Sequence, residues 1–227
     1  MHINKFIANA GYCSRRQADQ IIKAGRVRIN QKVAKLTDQV KATDHVFVDK
    51  IELKIPQEKI YLAFNKPFGV ICTTDKNSDN NIMRYLTLTE RVYPIGRLDV
   101  KSTGLILLTN DGDMANAILK GKKVEKEYFV KVDRVLTDGF LKKFSQGVIM
   151  DGFLTLPAKV KKLSSRTFNI ILVEGRKRQI RRICEKFRYN VLELKRIRIG
   201  KINLEPIEEG HYIKIDPSKI KSLLGLD

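Results

Sequence analysis

The chain has 227 residues, 43% hydrophobic and 30% charged, enough for one full core and a small second domain. Its 44 Lys and Arg against 25 Asp and Glu give a net charge of +19, spread along the chain, which points to a polyanionic partner. No apolar run approaches the ~20 residues of a membrane span, and the opening MHINKFIANAG lacks the apolar block of a signal peptide. A cytoplasmic location is therefore expected. Cys13, Cys72 and Cys184, like His2, His45 and His211, lie too far apart for metal-ligand spacing, so neither disulfides nor a metal site is expected.

Taken in order, the first element is a short amphipathic helix. Ile3, Phe6, Ile7 and Ala10 recur at helical spacing, and Gly11 can end it. Ser14 then reads as the N-cap of a second helix that runs to about Ala24, with Ala18, Ile21 and Ile22 inward and Gly25 as its stop. Arg15 and Arg16 sit in its first turn, where cations oppose the helix dipole, so a use elsewhere, such as phosphate contact, is expected beside plain solvated charge. RVRIN and HVFVD alternate as half-buried strands do. Residues 1–54 carry 11 Lys and Arg against 5 Asp and Glu, a basic module. KIPQEK, residues 54–59, reads as a linker.

The remainder mixes strand-like and helix-like segments without a repeat period, which predicts an α+β domain with a mixed or antiparallel sheet. IYLAFNKP and GLILLTN read as buried strands, and DMANAILK as a short helix. EKEYFVKV places Lys126, Tyr128, Val130 and Val132 on one strand face, and FNIILVEG is another strand. Residues 174–201 hold 11 Lys and Arg against 3 Glu. Within them QIRRICEKF is helical, with Ile180, Ile183, Cys184 and Phe187 as its stripe and Arg181 and Arg182 on either side.

Several chemistries lack their residues. The fourteen glycines never fall two apart, so neither a dinucleotide loop nor the G-x-G loop of methyl transfer is present, and the P-loop pattern is absent too. Hydrolytic triads need a histidine in a better context. Aspartate, tyrosine and arginine remain. Asp99, in PIGRLDVKSTG, is one carboxylate between Arg97 and Lys101, equally at home in a turn. Tyr128 fits a packed strand aromatic, and Arg181 could pair with Glu185 one turn on.

Together these motifs carry a resemblance. KFIANAG, SRRQADQIIKAG and VRIN resemble the S4 RNA-binding domain. From about Tyr61 to Ile215, NKPFGV, GRLDVKSTGLILLTNDGD, EKEYFVKV, EGRKRQIRRICEKF and VLELKRIRIGKINL, in that order, resemble the pseudouridine synthases that modify bacterial ribosomal RNA. NNIMRYL, RVYPIGRLD and AILKGKKVEKEYFVKVD are most similar to the large-subunit synthase F type. The resemblance implies an S4-type αα-β module over residues 1–53, a linker over 54–60, and over 61–227 a catalytic domain with a mixed, largely antiparallel sheet flanked by helices. It further implies that the chain isomerises a uridine of ribosomal RNA, expected to be 23S, without a cofactor. A synthase for 16S or transfer RNA stands as the alternative within the family. By the same resemblance Asp99 is the catalytic carboxylate, held ionised by a paired hydrogen bond from Arg181. Tyr128 stacks on the uracil and serves as base for the C5 proton, and Leu194 packs beneath the ring. Arg97 fills the space of the flipped base, while Lys66, Arg15, Arg16, Lys177, Arg178 and Arg182 hold RNA. Arg178 stands before Gln179 where related sequences often carry His or Asn. A monomer acting on ribosomal RNA or an assembling subunit, away from membranes, is the expected working form. Two rival classes remain open from sequence. One is a non-catalytic S4-type RNA-binding or assembly factor; the other is an S4-fused RNA methyltransferase, for which no cofactor loop is found.

Overall fold

A computed structural model describes residues 1–75, 77–120 and 124–226, with the side chain of residue 120 left aside. Two compact units emerge. The first is Met1–Ile60 with Leu88–Val92 and Thr109–Gly112; the second is Tyr61–Thr87, Tyr93–Leu108 and the chain from Asp113 onward.

In the first unit, α1 (Ile3–Asn9) and α2 (Arg15–Lys23) precede β1 (Val27–Ile29), β2 (Lys32–Val33), β3 (Val46–Val48) and β4 (Ile51–Leu53). The residues explain the breaks. Gly11 takes φ +79° just after α1, a conformation costly for any side chain with a Cβ. Ser14 then caps α2 reciprocally: its Oγ accepts from Gln17 N–H at 3.3 Å while Gln17 Oε1 accepts from Ser14 N–H at 3.0 Å. The four strands form an antiparallel sheet in the order β2-β1-β3-β4. Ile3, Ile7, Ala18, Ile22, Val27, Val46 and Val48 bury the helix stripes and strand faces in one apolar core.

The second unit contains β5 (Tyr61–Lys66), β6 (Tyr93–Pro94), β7 (Thr103–Thr109), α3 (Gly112–Lys120), β8 (Lys126–Val132) and α4 (Asp138–Gln146). There follow β9 (Ile149–Met150), β10 (Phe153–Leu154), β11 (Lys159–Lys162), β12 (Thr167–Leu172), α5 (Gln179–Lys186), β13 (Val191–Ile199), β14 (Ile202–Asn203), β15 (Tyr212–Lys214) and α6 (Ile220–Leu224). A nine-stranded sheet runs β11-β12-β8-β13-β7-β5-β15, with β14 paired to β13 and β6 to β7, while β9 and β10 form a separate hairpin. β8 pairs antiparallel with both β12 and β13, but β13 lies parallel to β7. The fold is thus α+β with a mixed, largely antiparallel sheet, as expected.

The parallel junction matters most for the site. Arg196 of β13 stands opposite Gly104 of β7. A Cβ at Gly104 would collide with the Arg196 backbone, and its φ is +94°, so only glycine lets these strands close. Two apolar clusters fill this unit. One places Phe140, Phe144, Phe168, Ile180, Ile183 and Cys184 between α4, α5 and the sheet; the other centres on Leu105, Leu107, Ile118 and Ile199. Among the described residues no helix is long and apolar enough to cross a membrane.

Candidate active site

The first turn of α5 reaches inward through Arg181 and shapes a loop. Residues 97–102 lie in the connection from β6 to β7, and hydrogen bonds from several directions fix them. Leu98 N–H donates to Cys72 Sγ at 3.4 Å. The Val100 carbonyl accepts from Gly69 N–H at 3.0 Å and from Lys66 Nζ at 3.3 Å. Ser102 N–H donates to the Asp99 carbonyl at 3.0 Å, closing the turn. Arg181 Nη2 donates to the Lys101 carbonyl at 2.7 Å and to Ser102 Oγ at 3.4 Å, and its Nη1 donates to the Val191 carbonyl at 3.2 Å.

This frame presents Asp99 to a cleft of about 610 Å³. Arg97, Leu98, Asp99, Cys72, Tyr128 and Leu194 line one part of it; Glu174, Arg176, Lys177, Arg178 and Gln179 line another. Asp99 is half-buried, and its carboxylate has no hydrogen bond or ion pair among the described residues. Tyr128 is half-buried on β8, and Leu194 is buried on β13. Leu194 pairs in register with Val130 and Arg196 with Tyr128, so the two strands bring these side chains to one face.

Two expectations need correction. Arg181 is 7% exposed, yet it forms neither an ion pair with Asp99 nor the surface pair with Glu185. Its fork reaches backbone carbonyls instead, and Glu185 has Arg178 at 3.9 Å. The proximity to Asp99 is still felt: burial and the neighbouring Arg178 push the Arg181 guanidinium below its ordinary range, while Asp99 pulls it back. Lys66 does not face RNA either. It is wholly buried, with Nζ on the carbonyls of Pro67 at 2.7 Å, Val70 at 2.8 Å and Val100. A buried ammonium needs such acceptors to offset lost water. Burial lowers its pKa, opposed by Cys72, Glu209 and Asp99.

The other predicted contacts divide. Arg97, Lys177 and Arg178 are exposed and line the cleft; Arg178 caps α5 from the left-handed region, φ 52°. Arg182 lies outside the cleft lining and forks onto both oxygens of Asp151. Arg15 and Arg16 are exposed on α2, with Arg15 Nη2 on Asn4 Oδ1 at 3.2 Å.

Sequence reasoning missed Cys72 and Arg196. Burial raises the Cys72 thiol, against Leu98 N–H and the charges of Lys66, Arg196 and Arg97. Arg196 is 4% exposed, its guanidinium lies 6.0 Å from the Tyr128 ring centroid, and Nε donates to the Leu105 carbonyl. The strand period held the signal, because Leu194 and Arg196 are two apart on one face of LELKRIRIG. Among the described residues no cluster of three or more His, Cys, Asp or Glu side chains could hold a metal ion.

This arrangement offers an unpaired carboxylate, a tyrosine ring and an apolar floor inside a basic rim, suited to a planar base carried on a polyanion. Comparison with known proteins agrees. A profile of RNA pseudouridylate synthases matches residues 60–186, and one of the S4 domain matches residues 1–46. The chain is 42% identical to the dual-specificity RNA pseudouridine synthase RluF of Escherichia coli K12, covering 100% of this chain and 79% of that protein. It is 34% identical to the ribosomal large subunit pseudouridine synthase B of Bacillus subtilis, covering 99% and 96%. A crystal structure of a pseudouridylate synthase superposes with a TM-score of 0.72 at 29% identity, covering 98% of this chain and 99% of the other. With a profile matched over more than half its length and this identity along all of it, the chain belongs to the RNA pseudouridylate synthase family and carries an S4 domain at its N-terminal end.

Proposed function

We propose that the protein isomerises a uridine of large-subunit ribosomal RNA to pseudouridine in the cytoplasm, with Asp99 as the catalytic carboxylate. The observation that carries this is the free Asp99 carboxylate in the cleft with Tyr128 and Leu194. The ribosomal target is supported by the name of the Bacillus subtilis relative. Residues 1–53 serve RNA binding, 54–60 link, and 61–227 carry the chemistry. One chain supplies every proposed residue, which supports a monomer as the acting unit.

The reaction breaks the N1–C1′ bond, turns the uracil, and joins C5 to C1′; the C5 proton leaves and N1 gains one, so atoms and electrons balance within the nucleotide. An ionised carboxylate acts at the sugar, as nucleophile at C1′ or as base for the C2′ proton. Arg181 donates to the Lys101 carbonyl and Ser102 Oγ, and so fixes the loop that presents Asp99. Tyr128 stacks on the uracil and takes the C5 proton. Leu194 packs beneath that ring. Flipping the base costs a few kcal/mol; Arg97 fills the space the base leaves, and phosphate contacts from Lys177 and Arg178 at the cleft and from the S4 domain offset the cost.

The test is direct. Asp99→Asn and Asp99→Ala should abolish pseudouridine formation while leaving RNA affinity within a few-fold, because a carboxylate adds nothing to phosphate binding. Turnover by Asp99→Ala above the uncatalysed background would overturn the assignment. Mapping pseudouridines in ribosomal RNA from a deletion strain names the nucleotide.

A further inference from the structure

The β9–β10 hairpin stands apart from the large sheet, and beside the buried Met150 it leaves three apolar side chains exposed. Ile149 is 61% exposed, Phe153 63% and Leu154 63%. Leu154 and Ile149 are cross-strand partners on one face of the hairpin, while Phe153 stands opposite the buried Met150 on the other. A single exposed apolar residue is ordinary, but Phe153 is an exposed aromatic ring beside Arg176, a cation that lines the cleft, and that pairing on an ordered hairpin calls for a use.

The hairpin is firmly tied. Asp151 at its turn receives both guanidinium prongs of Arg182, and Lys186 Nζ donates to the Ile149 carbonyl at 2.9 Å. Beyond β10, Leu156 N–H donates to Glu174 Oε1 at 2.9 Å, and Gln179 Nε2 holds the same oxygen at 2.8 Å. Helix α5 therefore fixes the hairpin through Arg182 and Lys186 and the Asp99 loop through Arg181. One helix thus ties both the hairpin and the loop that carries Asp99. Phe153 also stands beside the cleft: Arg176, which lines the cleft, places its guanidinium 5.7 Å from the Phe153 ring centroid.

We propose that Phe153 is a stacking platform for one unpaired nucleobase of the RNA strand beside the target uridine, with Arg176 as the adjoining cation. The assignment rests on the reading that the substrate is RNA, and adds that the strand next to the target must be unpaired. A base offers an apolar face and a charged backbone a few ångströms away, which is the pairing of ring and cation displayed here. Single strands expose those faces, and duplexes hide them. Aromatic stacking accepts any base, so the platform selects for unpaired structure and not for sequence.

Binding of the full chain to two probes tests this: a single-stranded RNA of about eight nucleotides with a central 2-aminopurine, long enough for one groove, and a blunt duplex of the same sequence. Phe153→Ala should weaken single-strand binding about tenfold and abolish the 2-aminopurine quench. It should leave duplex binding within about twofold and the salt slope unchanged, since no phosphate contact is removed. Phe153→Leu should behave like Ala despite its apolar bulk, and Phe153→Trp should restore binding. Equal weakening on both probes, no weakening on either, rescue by Leu, or a shallower salt slope would overturn the proposal. So would a concentration-dependent dimer of the wild type that Phe153→Ala dissolves, which would assign the patch to a second copy. These readouts need no turnover. Loss of the Asp99 assignment would leave them standing, and their failure would leave Asp99 untouched.

Discussion

In the N-terminal unit carboxylates are answered at the surface. Arg26 forks onto Asp49 at 3.0 and 2.6 Å, His45 meets Glu52 at 2.7 Å, and Asp38 and Asp44 accept backbone N–H groups of Lys35 and Lys41. In the second unit the cations go inside. Lys66, Arg181 and Arg196 are buried and bond to backbone carbonyls, and among the described residues none of them pairs with a carboxylate. A carbonyl satisfies a donor without neutralising its charge. The second unit therefore keeps the buried positive charge of Lys66 and Arg181 near Asp99, whose carboxylate they leave without a partner, whereas the first unit cancels its charges in water, where each pair matters little.

The largest effect should follow from removing one of those inner cations. Arg181→Met strips donors from the Lys101 and Val191 carbonyls, at about 1–3 kcal/mol for each group left unsatisfied. It also loosens the loop that aims Asp99, and misplacement near the chemistry can cost on the order of 10²-fold in rate. Denaturant unfolding and single-turnover assays should show both losses, with Arg181→Lys recovering part of each. An inactive Met variant of wild-type stability would break the comparison, because Arg181 would then act by pairing with Asp99 in the RNA complex and not by holding the backbone.

Much of this was legible beforehand, for reasons that differ by level. Helices α1 and α2 follow from apolar spacing and from Ser14, whose cap needs only Gln17 three residues on. Local physics suffices there. The strands around Tyr61, Leu105 and Tyr128 are long apolar or alternating runs, readable by period alone. Partnership was not legible. Whether Arg181 meets Asp99, Glu185 or a carbonyl eighty residues earlier depends on how α5 packs against the β6–β7 loop. Lys66 looked like a surface cation because its three acceptors are backbone atoms, which no side-chain pattern records. Helix α4 and the β9–β10 hairpin went unread although each carries a local signal: Phe140 and Phe144 stand one helical turn apart behind the Thr137 cap, and Asp151-Gly152, both at positive φ, is a two-residue hairpin turn.

The thiols sharpen the contrast next. Burial pushes Cys184 up to about 12, while Cys13 in the first unit is half-buried, raised by burial and lowered by Arg91. In the unfolded chain Cys184 should ionise near its ordinary value of 9.0. Its contribution to stability is therefore whole below pH 9 and is lost as pH rises toward 12, at roughly 1.4 kcal/mol per pH unit. The stability advantage of wild type over Cys184→Ala should shrink across that window. At pH 8 a thiol reagent should modify native Cys13 well before Cys184. A constant gap between wild type and variant would mean that water reaches the α5 core.

A smaller effect is expected from the exposed cations of the first unit. Arg15→Gln and Arg16→Gln should each reduce the salt slope of RNA binding by about one if they touch phosphate. Stability and the rate at saturating RNA should not change. An unaltered slope in both variants would show that these side chains are solvated charge, however basic the module.

The smallest effect belongs to the Arg26–Asp49 pair, and it tests the rule that surface answers count for little. Both side chains are about half exposed, at 48% and 47%, so water screens the attraction and each must give up rotamer freedom to meet. Arg26→Ala should move the unfolding midpoint only slightly, and the shift should vanish in 1 M salt, where the screening length is about 3 Å. The losses in Arg181→Met should persist in that salt, since its bonds lie beyond the reach of ions. Asp49 adds a further handle, because it holds φ 54° at the turn between β3 and β4. Asp49→Gly loses the same ion pair as Arg26→Ala but relieves a left-handed backbone that costs a residue with a Cβ and not glycine. It should therefore be at least as stable as Arg26→Ala. A large, salt-resistant loss in Arg26→Ala would instead make this exposed fork a structural tie like those inside the second unit.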